Sequence, residues 1–359
     1  MRKLRFSHVL QPFVDSRSLA GAVILVADRT RVRSLEAVGF ADIARDVPMR
    51  TGCLFWIASQ TKPITATALM MLVEEGKVRL DDPVAQYLPE FAGQWLAVEQ
   101  DSEHMLLRKP RQLPTVRQAL CHTSGMPFKS AIEEPTLDRL PLEYAVRSYT
   151  MTPLQSEPGS KYQYSNAGIN TVGRIIEVVS GQPYAEFLEQ RLLGPLGMKD
   201  TTFWPTPKQV ARLAKSYRPN AAGTGLEEMG IGQLAYLPLS SHARHPVPAG
   251  GLFSTAADVG RFCRMILNGG SFEGTRYLSD ASVREMTRRQ TGEGIPDGYG
   301  LGWGTGDGTA GHGGAQATNM TIDWHRGLIT VYLVQHAGFP NDGARSQAVF
   351  RDAAIAACA

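Results

Sequence analysis

Cysteine is scarce in this sequence. Its 359 residues include four cysteines, no two of which form a Cys-x-x-Cys pair. Such spacing disfavours both a metal knuckle and a disulfide framework, and buried free thiols are the expected alternative. The four are Cys53, Cys121, Cys263 and Cys358.

An excess of one charge is lacking as well. The sequence has 37 basic and 34 acidic residues, a formal net charge of +3, without a block of like charges. Nucleic acid and anionic membranes are therefore poor candidates for partners.

Long apolar runs are also absent. The longest, ITATALMMLV, is too short to span a bilayer. The first sixteen residues are partly basic but have no uninterrupted apolar core, so they do not resemble a signal peptide. A cytoplasmic location is the default expectation, and export after removal of a leader stays open.

Of two common functional motifs, one is absent from the sequence and the other occurs in an unsuitable context. No serine lies in a Gly-x-Ser-x-Gly sequence, which excludes the nucleophile elbow of α/β-hydrolases. A Gly-x-Gly-x-x-Gly match runs from Gly306 to Gly311, but it precedes a strand and has no βαβ unit around it. We interpret it as a turn and not as a nucleotide site.

Alternating and continuous apolar segments predict strands at both ends of the chain. Pro and Gly loops separate mainly helical patterns between residues 61 and 267. We therefore predict an α+β protein with one sheet built from both termini, in residues 1–58 and 250–359, and a mainly helical domain in residues 59–249. The active site is expected at the junction between the sheet-containing domain and the helical domain. The terminal segments are Ala22–Ala27, Ser34–Gly39, Thr318–Trp324 and Leu328–Gln335, followed by a closing helix, Ala344–Ala357.

One helical pattern begins with a reactive pair. Phe55–Gly76 has apolar residues at three- and four-residue steps, which predicts an amphipathic helix, and its front end contains Ser59 and Lys62. Residues three apart share a helix face. A lysine desolvated at a domain interface becomes a neutral amine that can activate a serine hydroxyl. The alternative is an N-cap serine with a lysine that extends to solvent.

The segment KYQYSNAGINTVG contains a second candidate pair. Tyr164 and Asn166 are two residues apart, so both side chains point the same way if the segment is extended. A phenol near an ammonium loses its proton more readily, which makes Tyr164 a candidate base or proton relay. Asn166 offers a donor and an acceptor. A turn asparagine beside a packed tyrosine is the alternative.

A third segment, TAGHGGAQATNMTIDW, places His312 and two glycines at the start of a predicted strand. Glycine in a strand often permits close approach of a ligand or another backbone. The backbone N–H of Ala315 is a candidate to pair with that of Ser59 in an oxyanion hole. The alternative is a glycine-rich bend with an exposed histidine.

In this order, the three segments resemble the serine β-lactamase and penicillin-binding-protein superfamily, whose signature includes Ser-x-x-Lys. The tyrosine in the second segment is typical of the branch with class C β-lactamases, DD-peptidases and β-lactamase-like carboxylesterases. The resemblance extends over nearly the whole chain. Other similar segments are LCHTSGMPF, PGSKYQYSNAGINTVGRIIEVVSGQPYAEFL, LLGPLGMKDTTF, PAGGLFSTAADVGRF and YGLGWG.

The resemblance implies a β-lactamase/transpeptidase-like fold and an acyl-enzyme on the serine. It implies Ser59 as nucleophile, with Lys62 and Tyr164 sharing the work of the base. It also implies that Asn166, His312, Gly313, Gly314 and Ala315 bind substrate, and that the N–H groups of Ser59 and Ala315 form the oxyanion hole. It does not decide between Lys62 and Tyr164 as proton acceptor.

The third motif departs from the superfamily signature. His312-Gly313-Gly314 stands where Lys-Thr-Gly is expected. Histidine has a reference pKa near 6.5, about four units below that of lysine, and is mostly neutral at pH 7. The exchange weakens capture of a substrate carboxylate and favours uncharged esters or amides.

We therefore expect a serine hydrolase that needs no metal or cofactor and acts on small esters. Alternatives with the same chemistry are a class C-like β-lactamase, a D-amino-acid peptidase and an acyltransferase. A penicillin- or peptidoglycan-peptide-binding module without turnover is the alternative of another class. His122 is expected to be structural, and His242 with His245 lacks the carboxylate that a metal site needs.

Overall fold

Apolar segments from both ends of the chain meet in one antiparallel sheet. The computed structural model describes residues 4–358 and contains a seven-stranded sheet. Its strands, in their order across the sheet, are β12 (Gly304–Gly306), β13 (Thr309–Gly313), β14 (Asn319–Asp323), β15 (Leu328–Leu333), β1 (Gly21–Asp28), β2 (Val32–Asp42) and β3 (Val47–Pro48). Shorter strands are β4 (Phe55–Trp56), β5 (Leu96–Gln100), β6 (Met105–Arg108), β7 (Ser216–Pro219), β8 (Leu226–Met229), β9 (Phe253–Ser254), β10 (Ser271–Phe272) and β11 (Thr275–Arg276).

Helices cover both faces of this sheet and occupy most of the middle of the chain. They are α1 (Ser7–Asp15), α2 (Thr61–Glu74), α3 (Val116–Leu120), α4 (Leu142–Thr150), α5 (Asn166–Ser180), α6 (Tyr184–Leu188), α7 (Pro207–Val210), α8 (Ala256–Leu267), α9 (Asp280–Thr287) and α10 (Ser346–Cys358). This arrangement confirms the predicted α+β class and the terminal helices beside the sheet. The domain boundaries at residues 58 and 250 stay a prediction.

Strand β1 is buried on both faces, and its side chains divide between two cores. Val23 and Leu25 belong to the large core shared with the helical part, whereas Ile24 and Val26 pack with residues of α1 and α10. This division follows from the two-residue period of a strand. Val23 lies opposite Leu333 of β15, which joins the two ends of the chain in register.

The predicted amphipathic helix over residues 55–76 is wrong in two respects. Phe55–Trp56 forms β4, and a 3₁₀ turn, Ala58–Gln60, precedes α2. Every residue of α2 from Thr61 to Leu72 is buried. Since α5, α9 and the 3₁₀ turn all contact α2, this helix is central and not half-exposed. Gly76, at φ +70°, follows the helix end, as the sequence indicated.

Residues 172–179 and 184–193, in the part of the chain predicted to be mainly helical, lie within helical structure. The first is part of α5, which ends at Gly181 with φ +70°. The second contains α6 followed by one π-helical turn, Glu189–Leu193.

Within the described part of the chain, no helix is long and apolar enough to cross a bilayer. Over the same residues no cluster of three or more side chains of the metal-ligating types occurs. Cys53, Cys121 and Cys263 are buried free thiols as predicted, and Cys358 is partly buried.

Candidate active site

Ser59 lies in the short 3₁₀ turn between β4 and α2, where the backbone is constrained. The preceding residue, Ala58, has φ +47°, a left-handed conformation that is uncommon for a residue with a β-carbon. The hydroxyl of Thr61 donates to the carbonyl of Ala58 at 2.6 Å and holds the turn. The segment containing Ser59 is therefore fixed at the end of a buried helix.

Lys62 is fully buried beside this serine. Its Nζ lies 3.1 Å from Ser59 Oγ, 2.8 Å from Asn166 Oδ1 and 2.7 Å from the carbonyl oxygen of Ala249. Burial lowers the pKa of Lys62 well below its ordinary value, because the charged form loses its hydration. A neutral amine is therefore the favoured form.

The geometry around Nζ determines what a neutral amine does there. An amine has two N–H groups and one lone pair, and two of its three neighbours, Asn166 Oδ1 and the Ala249 carbonyl, can only accept hydrogen bonds. Both N–H groups are used by these oxygens. In this neutral form the lone pair is left for the third neighbour, the hydroxyl of Ser59, which can then donate its proton to Nζ.

Tyr164 completes the surroundings of the serine. Its side chain hydrogen-bonds with Ser59, and its ring centroid lies 4.6 Å from Lys62 Nζ. Burial raises the pKa of Tyr164, so the prediction of a more acidic phenol is wrong for the resting protein. That prediction assumed an ammonium neighbour, whereas buried Lys62 favours the uncharged amine. Tyr164 is consequently a protonated phenol, suited to relay a proton.

Asn166 was expected in an extended segment but is the first residue of α5. Ser165 is extended and caps this helix, since its Oγ accepts a hydrogen bond from the N–H of Gly168 at 2.9 Å. Asn166 still points into the site, where its Oδ1 contacts Lys62.

His312 of β13 lies at the edge of the same site and is neutral. Its Nδ1 is 2.6 Å from the carbonyl of Gly313 and its Nε2 is 2.7 Å from the hydroxyl of Tyr299. A carbonyl can only accept, so Nδ1 carries the proton and Nε2 accepts from Tyr299. Burial lowers the pKa of His312 to about 3. No cation is therefore supplied by this histidine at neutral pH.

The two glycines after His312 bring the end of β13 against the turn that holds the serine. A β-carbon at Gly314 would lie 2.5 Å from the carbonyl oxygen of Ile57 and 3.3 Å from the β-carbon of Ala58. The hydroxyl of Thr318 also donates to the Ile57 carbonyl at 3.3 Å. Ala315 is exposed in the turn that follows Gly314. Its role as a second oxyanion donor stays a prediction.

A cavity of about 470 Å³ opens beside His312. Its wall includes Tyr164, Tyr299 and Asn319, and Arg351 of α10 also lines it. Phe128 stands near it with 45% of its surface exposed, and its ring stacks on that of Tyr164 at a centroid distance of 6.3 Å. The site therefore presents both aromatic surface and one cationic side chain.

Comparison with known proteins agrees with this arrangement. The beta-lactamase family model matches residues 6–354. The chain belongs to the beta-lactamase family. Protein Rv1367c of Mycobacterium tuberculosis is 34% identical over 357 residues, which cover 90% of this chain and 87% of that protein. Esterase EstB of Burkholderia gladioli is 31% identical over 326 residues, 84% of this chain and 78% of that protein.

A solved structure described as "EstCE1, a hydrolase with promiscuous acyltransferase activity" superposes with a TM-score of 0.81. It is 26% identical and the match covers 97% of this chain and 96% of that one. Membership and fold confirm the resemblance inferred from the three motifs. Members of the beta-lactamase family are serine hydrolases that act on small esters, amides or β-lactams.

In this family member, the sequence did not reveal three groups that the structure brings to the site. They are the carbonyl of Ala249, the hydroxyl of Tyr299 and the imidazole of His122. Each lies in a segment that resembled the family, PAGG, YGLGWG and LCHTSGMPF, but no spacing rule related these segments to Ser59. A backbone carbonyl in particular leaves no trace in side-chain identity.

Proposed function

We propose that the protein is a carboxylesterase that hydrolyses small esters through an acyl-enzyme on Ser59. The observation that carries this proposal is the environment of Lys62. A buried amine whose two N–H groups are taken by Asn166 Oδ1 and the Ala249 carbonyl directs its lone pair at the Ser59 hydroxyl, 3.1 Å away.

Acylation then follows from the positions of the groups. Lys62 Nζ takes the hydroxyl proton as Ser59 Oγ bonds to the ester carbonyl carbon, and the carbonyl electron pair moves to oxygen. When this tetrahedral oxyanion collapses, the bond to the alcohol breaks. The departing alcohol oxygen receives the proton from Lys62 through the hydroxyl of Tyr164. Backbone N–H groups of Ser59 and Ala315 are the proposed donors to the oxyanion.

Deacylation reverses the roles of the groups. Water gives its proton through Tyr164 to Lys62 as its oxygen bonds to the acyl carbon. The bond to Ser59 Oγ then breaks, and Oγ recovers the proton from Lys62. The acid leaves, and the neutral amine is restored.

The preference for esters rests on the third motif. The neutral His312 replaces the cation that Lys-Thr-Gly would present to a substrate carboxylate, and aromatic surface from Phe128 and Tyr164 lies close by. An uncharged substrate with an apolar group therefore suits the site better than a carboxylate. The similarity to EstB, which is named an esterase, supports the same choice.

One observation favours a second candidate. Arg351 lines the cavity beside His312, and half of its side chain is exposed, with the adjacent Asp352 3.3 Å away. This guanidinium can hold the carboxylate of a β-lactam or a D-amino-acid peptide. Hydrolysis of such substrates is therefore the alternative activity.

The deciding experiment compares p-nitrophenyl butyrate with a chromogenic cephalosporin, using wild type, Ser59→Ala and Arg351→Gln. We expect ester turnover that is lost in Ser59→Ala and kept in Arg351→Gln, with slow or no cephalosporin turnover. Ser18→Ala is the matched control, because Ser18 is a buried serine that donates to the carbonyl of Phe13.

Other outcomes identify the alternatives. Fast cephalosporin hydrolysis that falls in Arg351→Gln would assign a β-lactamase. A persistent mass adduct on Ser59 without turnover would assign a binding module. Ester synthesis when an alcohol is added, at the expense of free acid, would assign acyl transfer. Undiminished ester turnover in Ser59→Ala would contradict the mechanism itself.

A further inference from the structure

His122 holds the backbone on both sides of Tyr164. The N–H of Gln163 donates to the carbonyl of His122 at 2.8 Å, and the N–H of Ser165 donates to His122 Nδ1 at 3.1 Å. These donors belong to the residues immediately before and after Tyr164. A single residue therefore fixes the chain at both neighbours of the phenol that contacts Ser59.

The imidazole also packs against the tyrosine rings of the site. Its centroid lies 4.4 Å from that of Tyr164 and 4.6 Å from that of Tyr299, and the side chain is fully buried. Tyr299 in turn donates to His312. The ring of His122 thus lies between Tyr164 and Tyr299, the tyrosine that hydrogen-bonds with His312.

Packing alone does not explain a histidine at this position. Nδ1 accepts a hydrogen bond, so the proton of the neutral ring is on Nε2. Within residues 4–358, Nε2 is buried without a hydrogen-bond partner. Such a buried polar group costs free energy that a phenylalanine of similar shape would avoid. A phenylalanine could not accept the hydrogen bond that Nδ1 accepts from the N–H of Ser165, which explains a histidine at this position.

Charge on this ring would remove that acceptor. Protonated histidine has donors on both nitrogens and could not receive the N–H of Ser165. The groups around it are Lys62, His312 and the rings of Tyr162, Tyr164 and Tyr299. Burial lowers the pKa of His122 well below its ordinary value and keeps the ring neutral.

We propose that His122 is a positioning residue, which holds the hydroxyl of Tyr164 on Ser59 for proton transfer during acylation. The inference rests on the proposed function, since it concerns the same proton relay. It goes beyond it by assigning a role to a histidine that does not touch the reacting atoms.

A double-mutant cycle tests the assignment. His122→Phe keeps a ring but lacks the acceptor, whereas His122→Asn supplies an acceptor oxygen and suits the left-handed backbone there, φ +60°. Each is made in the wild type and in Tyr164→Phe, and acylation by p-nitrophenyl butyrate is followed by stopped flow. Coupled residues show non-additive effects in such a cycle.

We expect His122→Phe to slow acylation by at least about tenfold, with KM changed by less than about threefold, and His122→Asn to recover at least half of that loss on a logarithmic scale. In Tyr164→Phe, the effect of His122→Phe should fall below about twofold. If His122→Phe does not fold, His122→Ala takes its place in the cycle.

His336→Asn is the matched control. His336 is also buried, its Nε2 accepts from the N–H of Ala20 at 3.1 Å, and its ring stacks on Phe339 at 4.6 Å. This variant should lower Tm without slowing acylation by more than about twofold.

Three results would overturn the inference: an undiminished effect of His122→Phe in Tyr164→Phe, no recovery in His122→Asn, or equal slowing in His336→Asn. None of these concerns the nucleophile. The proposed function fails separately, through turnover that survives Ser59→Ala.

Discussion

Replacing Lys62 by methionine tests the neutral amine directly. The unfolded chain binds a proton at Lys62 below about pH 10.5, whereas the folded protein, with its lowered pKa, does not until a much lower pH. Between the folded-state pKa and about pH 10.5 the unfolded state holds more protons, so the free energy of unfolding rises with pH over this range. As the pH falls from about 10.5 toward the folded-state pKa, the free energy of unfolding decreases again.

The expected slope is about 1.4 kcal/mol per pH unit for a single buried amine. Methionine has a similar length and no charge, so the free energy of unfolding of the variant lacks this pH dependence. It also leaves Asn166 Oδ1 and the Ala249 carbonyl without a donor, at a cost of roughly 1–3 kcal/mol each that does not depend on pH. The stability of wild type relative to Lys62→Met should therefore increase by about 1.4 kcal/mol between about pH 8.5 and about pH 9.5.

Urea unfolding at these two pH values measures the difference. Lys208→Met serves as the control, because Lys208 is exposed and its substitution should give a difference that is flat with pH. A flat difference for Lys62→Met would refute the reasoning, since Lys62 would then be an ammonium unable to accept the Ser59 proton. Activity is a second readout: kcat should fall roughly 10²–10⁴-fold, as for the loss of a general base.

Further predictions concern the walls of the site. His312→Lys should raise kcat/KM for a carboxylate-bearing cephalosporin relative to p-nitrophenyl butyrate, and an unchanged ratio would contradict our interpretation of the third motif. In the wild type, each methylene added to the acyl chain should raise kcat/KM by up to about fourfold, measured from acetate to hexanoate esters. Phe128→Ala should reduce this gain toward unity, and an unaltered dependence on chain length would exclude contact between Phe128 and the acyl group. Gly314→Ala should lower Tm, because a β-carbon would lie 2.5 Å from the Ile57 carbonyl, whereas Gly313→Ala has 3.6 Å to its nearest neighbour and should not. Equal Tm values for the two variants in thermal scans would argue against tight packing at Gly314.

Local patterns predicted the strands well because their apolar residues are consecutive in the sequence. Ala22–Ala27 lies within β1 and the core of Leu328–Gln335 is β15, where continuous apolar residues leave little choice of structure. The helix predicted over residues 55–76 exists over Thr61–Glu74, but the prediction of an exposed polar face was wrong. Small and hydroxyl-bearing residues such as Thr65 and Thr67 look polar in sequence, yet each bonds to a carbonyl one turn earlier and is buried.

Residue identity over a few positions was enough to indicate the family, the spacing of Ser59 and Lys62, and the exchange of Lys-Thr-Gly for His312-Gly313-Gly314. The lowered pKa of Lys62, in contrast, is a consequence of how the chain folds. Desolvation lowers this pKa, and the groups that enclose the amine include the carbonyl of Ala249, which lies 187 residues away along the chain and has no side-chain signature.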